Sequence, residues 1–219
     1  MTEPLDMNLD ELRVALAPLL GRHAAFDGWS ETALAAAAAE LGIPAERARL
    51  AFSGGAAAMV DAWFDSVDVA MLEAFPDERI AGMKIRERIR ALVLFRLETI
   101  HPHREALRRA LAILAMPSNV ASGARLAWRA ADRIWRLAGD TATDFNHYSK
   151  RAILVGVYGS TSLVFLDDTD DDLAATKAFL DRRIDEVMRF EKAKARWRGR
   201  TARMPSLSRF LGRLRYPAV

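Results

Sequence analysis

From Leu9 to Met188, apolar side chains recur every three or four residues, and no run sustains the alternation of period two that a strand requires. That periodicity restricts the chain to packed helices. Leu9, Leu12, Leu16, Leu19 and Leu20 share one helical face, with Asn8 and Glu11 spaced as a capping box and an end expected near Gly21. Ser30 caps a second helix whose apolar side is Leu34, Ala37, Ala38 and Leu41. Gly42 stops it, and Pro44 opens a short third helix over 45–52. After Ser53-Gly54-Gly55 a longer helix is expected over 56–75, with Met59, Val60, Trp63, Phe64, Val67 and Met71 inward. Further helices are predicted over 83–100, 104–115, 120–138 and from Thr143 or Asp144 to 166. Another begins at Asp170–Asp172, and a last short one follows Pro205. The fold class is all-α, a bundle of about nine or ten helices.

With 51% apolar residues over 219 positions, the chain can bury a substantial core. It has no cysteine, which excludes disulfides, thiolate nucleophiles and sulfur-bound zinc. The longest uncharged apolar run, Ala152 to Leu166, is shorter than the roughly 20 residues a spanning helix needs. The first ten residues carry Glu3, Asp6 and Asp10 and no Lys or Arg, the wrong charge for a targeting segment. A soluble intracellular protein, or one that sits on a membrane without crossing it, is the expectation.

Charge divides the chain. Residues 1–82 hold five Lys/Arg and fourteen Asp/Glu, a net of −9, whereas Arg189 to Tyr216 holds ten Lys/Arg and one acid. Three short helices with a turn at Leu41-Gly42-Ile43-Pro44, followed by a long helix, resemble the helix-turn-helix front of TetR-type regulators. DNA affinity comes mostly from cations on phosphates. The third helix offers only Arg47 and Arg49, offset by Glu46, and no Asn, Gln, Ser or Thr before Ser53 to read base edges. The front is therefore expected to be scaffold that binds no DNA. The domain reading is 1–55 for this vestigial helix-turn-helix, 56–203 for the larger helical body, and 204–219 for an amphipathic tail.

Three segments carry a closer resemblance. The first runs from Gly28-Trp29-Ser30 to Phe52-Ser53-Gly54-Gly55 and Asp61-Ala62-Trp63. The second is Gly139-Asp140-Thr141-Ala142-Thr143-Asp144-Phe145-Asn146-His147-Tyr148-Ser149-Lys150-Arg151, continuing through Gly156-Val157-Tyr158 to Asp168. The third is Phe179 to Ile184. Together they resemble the Coq-nine family of ubiquinone-biosynthesis accessory proteins, in bacterial form, from about Leu9 to Met188. The resemblance implies a TetR-like fold without DNA binding, no catalysis and no cofactor. It also implies an isoprenoid quinone precursor or other lipid held in an apolar pocket. It implies a patch including Asp144, Phe145, Asn146 and Tyr148 that meets demethoxyubiquinone hydroxylase, with His147 beside it, and a C-terminal helix at the membrane. A homodimer is expected, as for other TetR-like folds. Two positions depart from the mitochondrial members, His147 where Trp is common and Gly159 where Asn is. The alternative reading is a TetR-like transcriptional regulator with a hydrophobic effector pocket.

Physically, Ala152 to Leu166 is apolar almost all round, the mark of a helix buried in a bundle. Gly156 and Gly159 share one side of it, so close approach is expected, by a packed helix or by a lipid chain. Tyr158, Thr161 and Ser162 are candidates for a quinone head group, though buried hydroxyls often bond their own backbone. Phe145 and Tyr148 share a face as core edge or interface anchor. Asp144 is explained equally by capping.

His101-Pro102-His103 sits at a helix break and does not place two imidazoles on one metal. Asp168, Asp170 and Asp172 imitate a calcium loop, but Leu173 and Phe179 stand where Gly and Glu are required. No nucleophile–base pair or phosphate-binding glycine loop occurs. Leu207, Phe210, Leu211 and Leu214 form a stripe opposite Arg209, Arg213 and Arg215, the pattern of a helix lying on an anionic membrane surface.

Overall fold

The computed structural model describes the backbone of residues 6–143 and 145–201, with side chains through residue 189 except at 144 and 145. Every regular element among the described residues is helical. The order is α1 (Leu9–Asp27), α2 (Glu31–Glu40), α3 (Ala45–Ala51), α4 (Gly55–Ala74) and a single turn α5 (Asp77–Ile80). Then come α6 (Ile85–Ile100), a 3-10 turn at His101–His103, α7 (Arg104–Leu114), α8 (Val120–Leu137), α9 (Phe145–Asp167) and α10 (Ala174–Thr201). Two compact units result, one running to Leu180 and one beginning at Asp181.

Local chemistry explains most boundaries. Asn8 Oδ1 accepts from the amides of Asp10 at 2.9 Å and Glu11 at 3.0 Å, while Glu11 accepts from the Asn8 amide at 2.7 Å. Such a cap contributes about 1 kcal/mol. Ser30 Oγ accepts from the Ala33 amide, and Gly42 adopts φ +66° where α2 must stop. α10 starts after Leu173, and Asp168 organises the turn before it. Its carboxylate accepts from the Thr176 hydroxyl at 2.6 Å and the Thr176 amide at 2.8 Å. The acidic run Asp170–Asp172 therefore lies in the turn ahead of α10, whose first turn carries no acid, rather than starting the helix as its sequence suggested.

In the first unit, α1 packs against α2, α3, α4 and α7, so the front three helices share the core of the body. Leu12, Leu16 and Leu20 of α1 are fully buried, as are Val60 and Met71 of α4 and Leu92, Leu97 and Ile100 of α6. Trp29 stacks 5.3 Å from Trp63 and donates its indole N–H to the Ala106 carbonyl at 3.0 Å, tying the front to α7.

α1 does not end at Gly21. It continues to Asp27 and is stopped by Gly28 at φ +69°. Gly21 is helical, and its small size admits Trp63. A Cβ there would fall on the indole nitrogen and lie 2.8 Å from Cε2. Gly21→Ala should therefore destabilise the protein by roughly 1–3 kcal/mol of overpacking, despite alanine's better helix propensity. Urea denaturation of the two proteins measures it; a stabilised variant would show that the indole is free to move.

α9 packs against α6, α7 and α8, which cover one side. Leu154, Val157, Phe165 and Leu166 are buried there. The other side is open: Ala152, Gly156 and Gly159 are exposed, and Leu163 is 61% exposed. The expectation of burial all round is thus met on one side only. An apolar pattern records which side chains tolerate burial, whereas coverage depends on how many helices reach them.

Candidate functional site

The turn from α8 into α9 is built by charges from the long motif. Gly139 stands at φ +91°, where a side chain would be strained and a Cβ would lie 3.1 Å from the Arg88 guanidinium. Arg88 donates to the Ala138 carbonyl at 3.0 Å. Asp140 pairs with Lys150 at 2.6 Å and with buried Arg151 at 3.1 Å. Arg151 also donates to Asp132 at 2.6 Å and to the His147 carbonyl at 3.0 Å. Burial alone would raise the Asp140 carboxyl. The hydrogen bonds from Lys150 and Arg151 outweigh it and hold the group below its ordinary value. The motif's two charged ends, Asp140 and Arg151, therefore fasten the turn.

Between those ends lie the interface candidates. Asp144 lies outside the described residues, and Phe145 begins α9. Asn146 is exposed. His147 bonds through Nδ1 to the Ala142 carbonyl at 3.0 Å, which makes Nδ1 the donor in that bond. Tyr148 is 61% exposed, an aromatic side chain on an otherwise polar helix start. Its ring meets His147 edge-on at 5.1 Å and lies 6.2 Å from Trp128 of α8. The core-edge reading of Tyr148 is therefore not what the fold adopts. Beside this aromatic group, a cleft of about 550 Å³ opens between α8 and the start of α9. Arg125, Trp128, Asp132, Arg136 and His147 border it.

The lipid candidates fall on two sides of α9. Gly156 and Gly159 occupy the exposed side, with no described atom within 4 Å of where a Cβ would stand. Tyr158, Thr161 and Ser162 face the other way. The Thr161 hydroxyl donates to the Val157 carbonyl at 2.7 Å, and that of Ser162 to the Tyr158 carbonyl at 2.9 Å. Tyr158 accepts from Arg96 Nε at 3.2 Å. The five residues thus share a helix without lining one cavity.

Arg96 leads to a feature that the helical pattern concealed. It and Asp68 are each 1% exposed and form an ion pair in the core between α6 and α4. Asp68 also takes Arg133 of α8 at 2.7 Å. Arg133 bridges to Asp65 at 2.9 Å, and Arg129 pairs with Asp61 at 2.7 Å. The guanidinium of Arg96 lies 5.3 Å from the centre of the Tyr158 ring. One signal was available. Asp61, Asp65 and Asp68 are spaced by four and three, and Arg129 and Arg133 by four, and so form facing acidic and basic stripes.

On the front, Arg47 bonds to the Met7 carbonyl, and Arg49 pairs with Glu31 at 3.1 Å. Both cations of the would-be recognition helix α3 are engaged within the chain. The membrane candidates Leu207, Phe210, Leu211 and Leu214 lie outside the described residues. Among the described residues, no helix is long and apolar enough to cross a membrane. None of their His, Asp and Glu clusters is placed to hold a metal ion.

Comparison with known proteins places this turn within a family. Residues 120–191, which contain α8, the turn and α9, match the COQ9 family model. The chain is 32% identical over 168 residues to the rat ubiquinone biosynthesis protein COQ9, mitochondrial, covering 74% of this chain and 54% of that protein. It is 30% identical to the human protein of the same name over the same share of this chain and 52% of the relative. The chain spans about half the length of these curated relatives. The fold is similar to the crystal structure of a TetR transcriptional regulator from Nitrosomonas europaea. There the TM-score is 0.63 at 21% identity, covering 80% of this chain and 96% of the regulator. The all-α bundle is thus a TetR-like fold, and the chain that adopts it belongs to the COQ9 family.

Proposed function

We propose that this chain is a non-catalytic accessory protein of ubiquinone biosynthesis, holding an isoprenoid quinone precursor and presenting it to demethoxyubiquinone hydroxylase at the membrane. The similarity to proteins named for ubiquinone biosynthesis supports the pathway. The observation that carries the partner reading is Tyr148. It is an exposed aromatic side chain in the family-matched segment, and the motif's charges around it, Asp140, Lys150 and Arg151, are engaged within the chain. Exposed aromatic side chains that a partner then buries are typical binding hot spots, worth about 2 kcal/mol or more on truncation. Tyr148→Ala should therefore weaken binding to the purified hydroxylase by roughly 30-fold. Its thermal midpoint should stay within a few degrees of the parent. A large fall in that midpoint, or unchanged binding, would sink the assignment.

The exposed face of α9 at Gly156 and Gly159 is the proposed seat of the isoprenoid chain, since a helix without side chains there admits a close, apolar neighbour. Tyr158, Thr161 and Ser162 are engaged with Arg96 and with their own helix, so they would support that helix from behind. Solvent extraction and mass spectrometry of gently purified protein should find a quinone precursor or another long-chain lipid; a consistently lipid-free protein would count against the reading. A homodimer is part of the same proposal, checked by light scattering.

Membrane attachment is assigned to the tail. Leu207, Phe210, Leu211 and Leu214 would enter the headgroup region while arginines hold anionic phosphates, each basic residue contributing about 1 kcal/mol. Deleting 204–219 should abolish most co-sedimentation with anionic vesicles, and high salt should weaken what the intact chain achieves. Equal binding by both proteins would place membrane contact elsewhere. The regulator reading is disfavoured by a front of net −9 whose α3 arginines are already engaged.

A further inference from the structure

We infer that the cleft between α8 and the first turn of α9 receives an acidic segment of the partner protein, with Arg125 and Arg136 as the cations that recognise it. This rests on the partner reading above and extends it from the motif to a second helix.

The argument begins with charge. Among the described residues, the two ion networks beside and behind the cleft, taken with Arg125, hold seven cations against five carboxylates: Asp61, Asp65, Asp68, Asp132 and Asp140. Within that described set, two positive charges are in excess. The inner cations cannot display that excess, because Arg96, Arg133 and Arg151 are fixed in short contacts with buried or shared acids. Asp132 is divided between Arg151 at 2.6 Å and Arg136 at 2.7 Å, so it neutralises neither fully. The excess appears at the outer ends. The Arg136 side chain is 72% exposed. Arg125 is exposed, and its one described bond goes to the Ser122 hydroxyl at 2.8 Å.

Shape and composition select the class of partner. The cleft is shallow and open to solvent, about 550 Å³, and its wall includes Trp128 and His147, which stand beside Tyr148. An aromatic centre with arginines at its rim is the usual anatomy of a protein interface. Arginine also matches the planar carboxylate fork with two parallel hydrogen bonds. A membrane phosphate would instead favour a convex apolar stripe backed by cations, which the tail sequence supplies. Rim charges act mainly on encounter rate and salt dependence, whereas the aromatic anchor acts on the lifetime of the complex.

The test measures binding kinetics of the full-length chain to purified hydroxylase at low and at physiological salt. Arg125→Glu with Arg136→Glu should lower affinity at least tenfold at low salt, mostly through slower association, and should flatten the salt dependence. Arg125→Glu alone should give a smaller change in the same direction; it removes only the Ser122 bond, so misfolding is not a confounder. Normal binding by the double variant, alongside impaired binding by Tyr148→Ala, would overturn the cleft and leave the proposed function standing. Failure of the parent protein to bind the hydroxylase would remove both. If the double variant loses binding to phosphatidylglycerol vesicles while keeping the hydroxylase, the cleft is a lipid contact and the inference is wrong.

Discussion

Asp68→Ala is expected to cost about 3–5 kcal/mol, because it leaves a guanidinium buried without a counter-charge. Arg96 is 1% exposed, and the only other bond described for it goes to the Tyr158 hydroxyl at 3.2 Å. Water cannot reach the charge without opening the packing between α4, α6 and α9. A loss of that size is a large fraction of the 5–15 kcal/mol that holds a typical domain together. Replacing both partners, Asp68→Leu with Arg96→Met, should be much milder, since no charge is then stranded. Urea denaturation of the two single variants and the double one measures the coupling. Single variants within about 1 kcal/mol of the parent would show that the pair is solvated.

Arg151→Ala should be comparably damaging, at about 3–5 kcal/mol by the same reasoning. One buried guanidinium holds Asp132, Asp140 and the His147 carbonyl, so it joins α8, the turn and the first turn of α9. Its loss leaves Asp140 with Lys150 as its remaining cation and frees the turn that orients Tyr148. Hydroxylase binding should therefore fall together with stability, unlike Tyr148→Ala, which should affect binding alone. Acid provides a second readout. Asp140 lies below its ordinary value in the folded chain, so its contribution is complete above the unfolded value of about 3.9 and is lost as pH falls through the folded value. Asp168 follows the same sign: burial opposes ionisation, and the Thr176 and Asp170 bonds prevail. The parent should lose stability steeply below about pH 4, and Arg151→Ala should show a shallower acid limb. A parent whose stability is flat through that range would contradict the ion-paired turn.

The helices and most of their ends were legible in the sequence because they are local. A cap such as Asn8 with Glu11, a stop such as Gly139 and a start such as Pro44 act over three or four residues, within reach of any reading of the chain. The long motif was legible as a family signature, and it pointed to the correct turn. The division of labour within it was not: Asp140 and Arg151 fasten the turn, whereas Tyr148 is displayed.

By itself, then, the sequence determined an all-α chain, its punctuation, the family and the charge division between front and tail. Only the tertiary structure decided three things. Gly21 ends no helix, because Trp63, forty-two positions away, needs its space. Among the described residues, α6, α7 and α8 cover one side of α9, and no atom comes within 4 Å of where a Cβ would stand on its two glycines. The acidic stripe of α4 is ion-paired, and its Asp68 is buried, because Arg96 of α6 and Arg129 and Arg133 of α8 converge on it from distant parts of the chain. Periodicity records what each residue can tolerate within its own helix. Which side chains meet, and which remain in water, depends on contacts between segments far apart in the chain, and those exist only after packing.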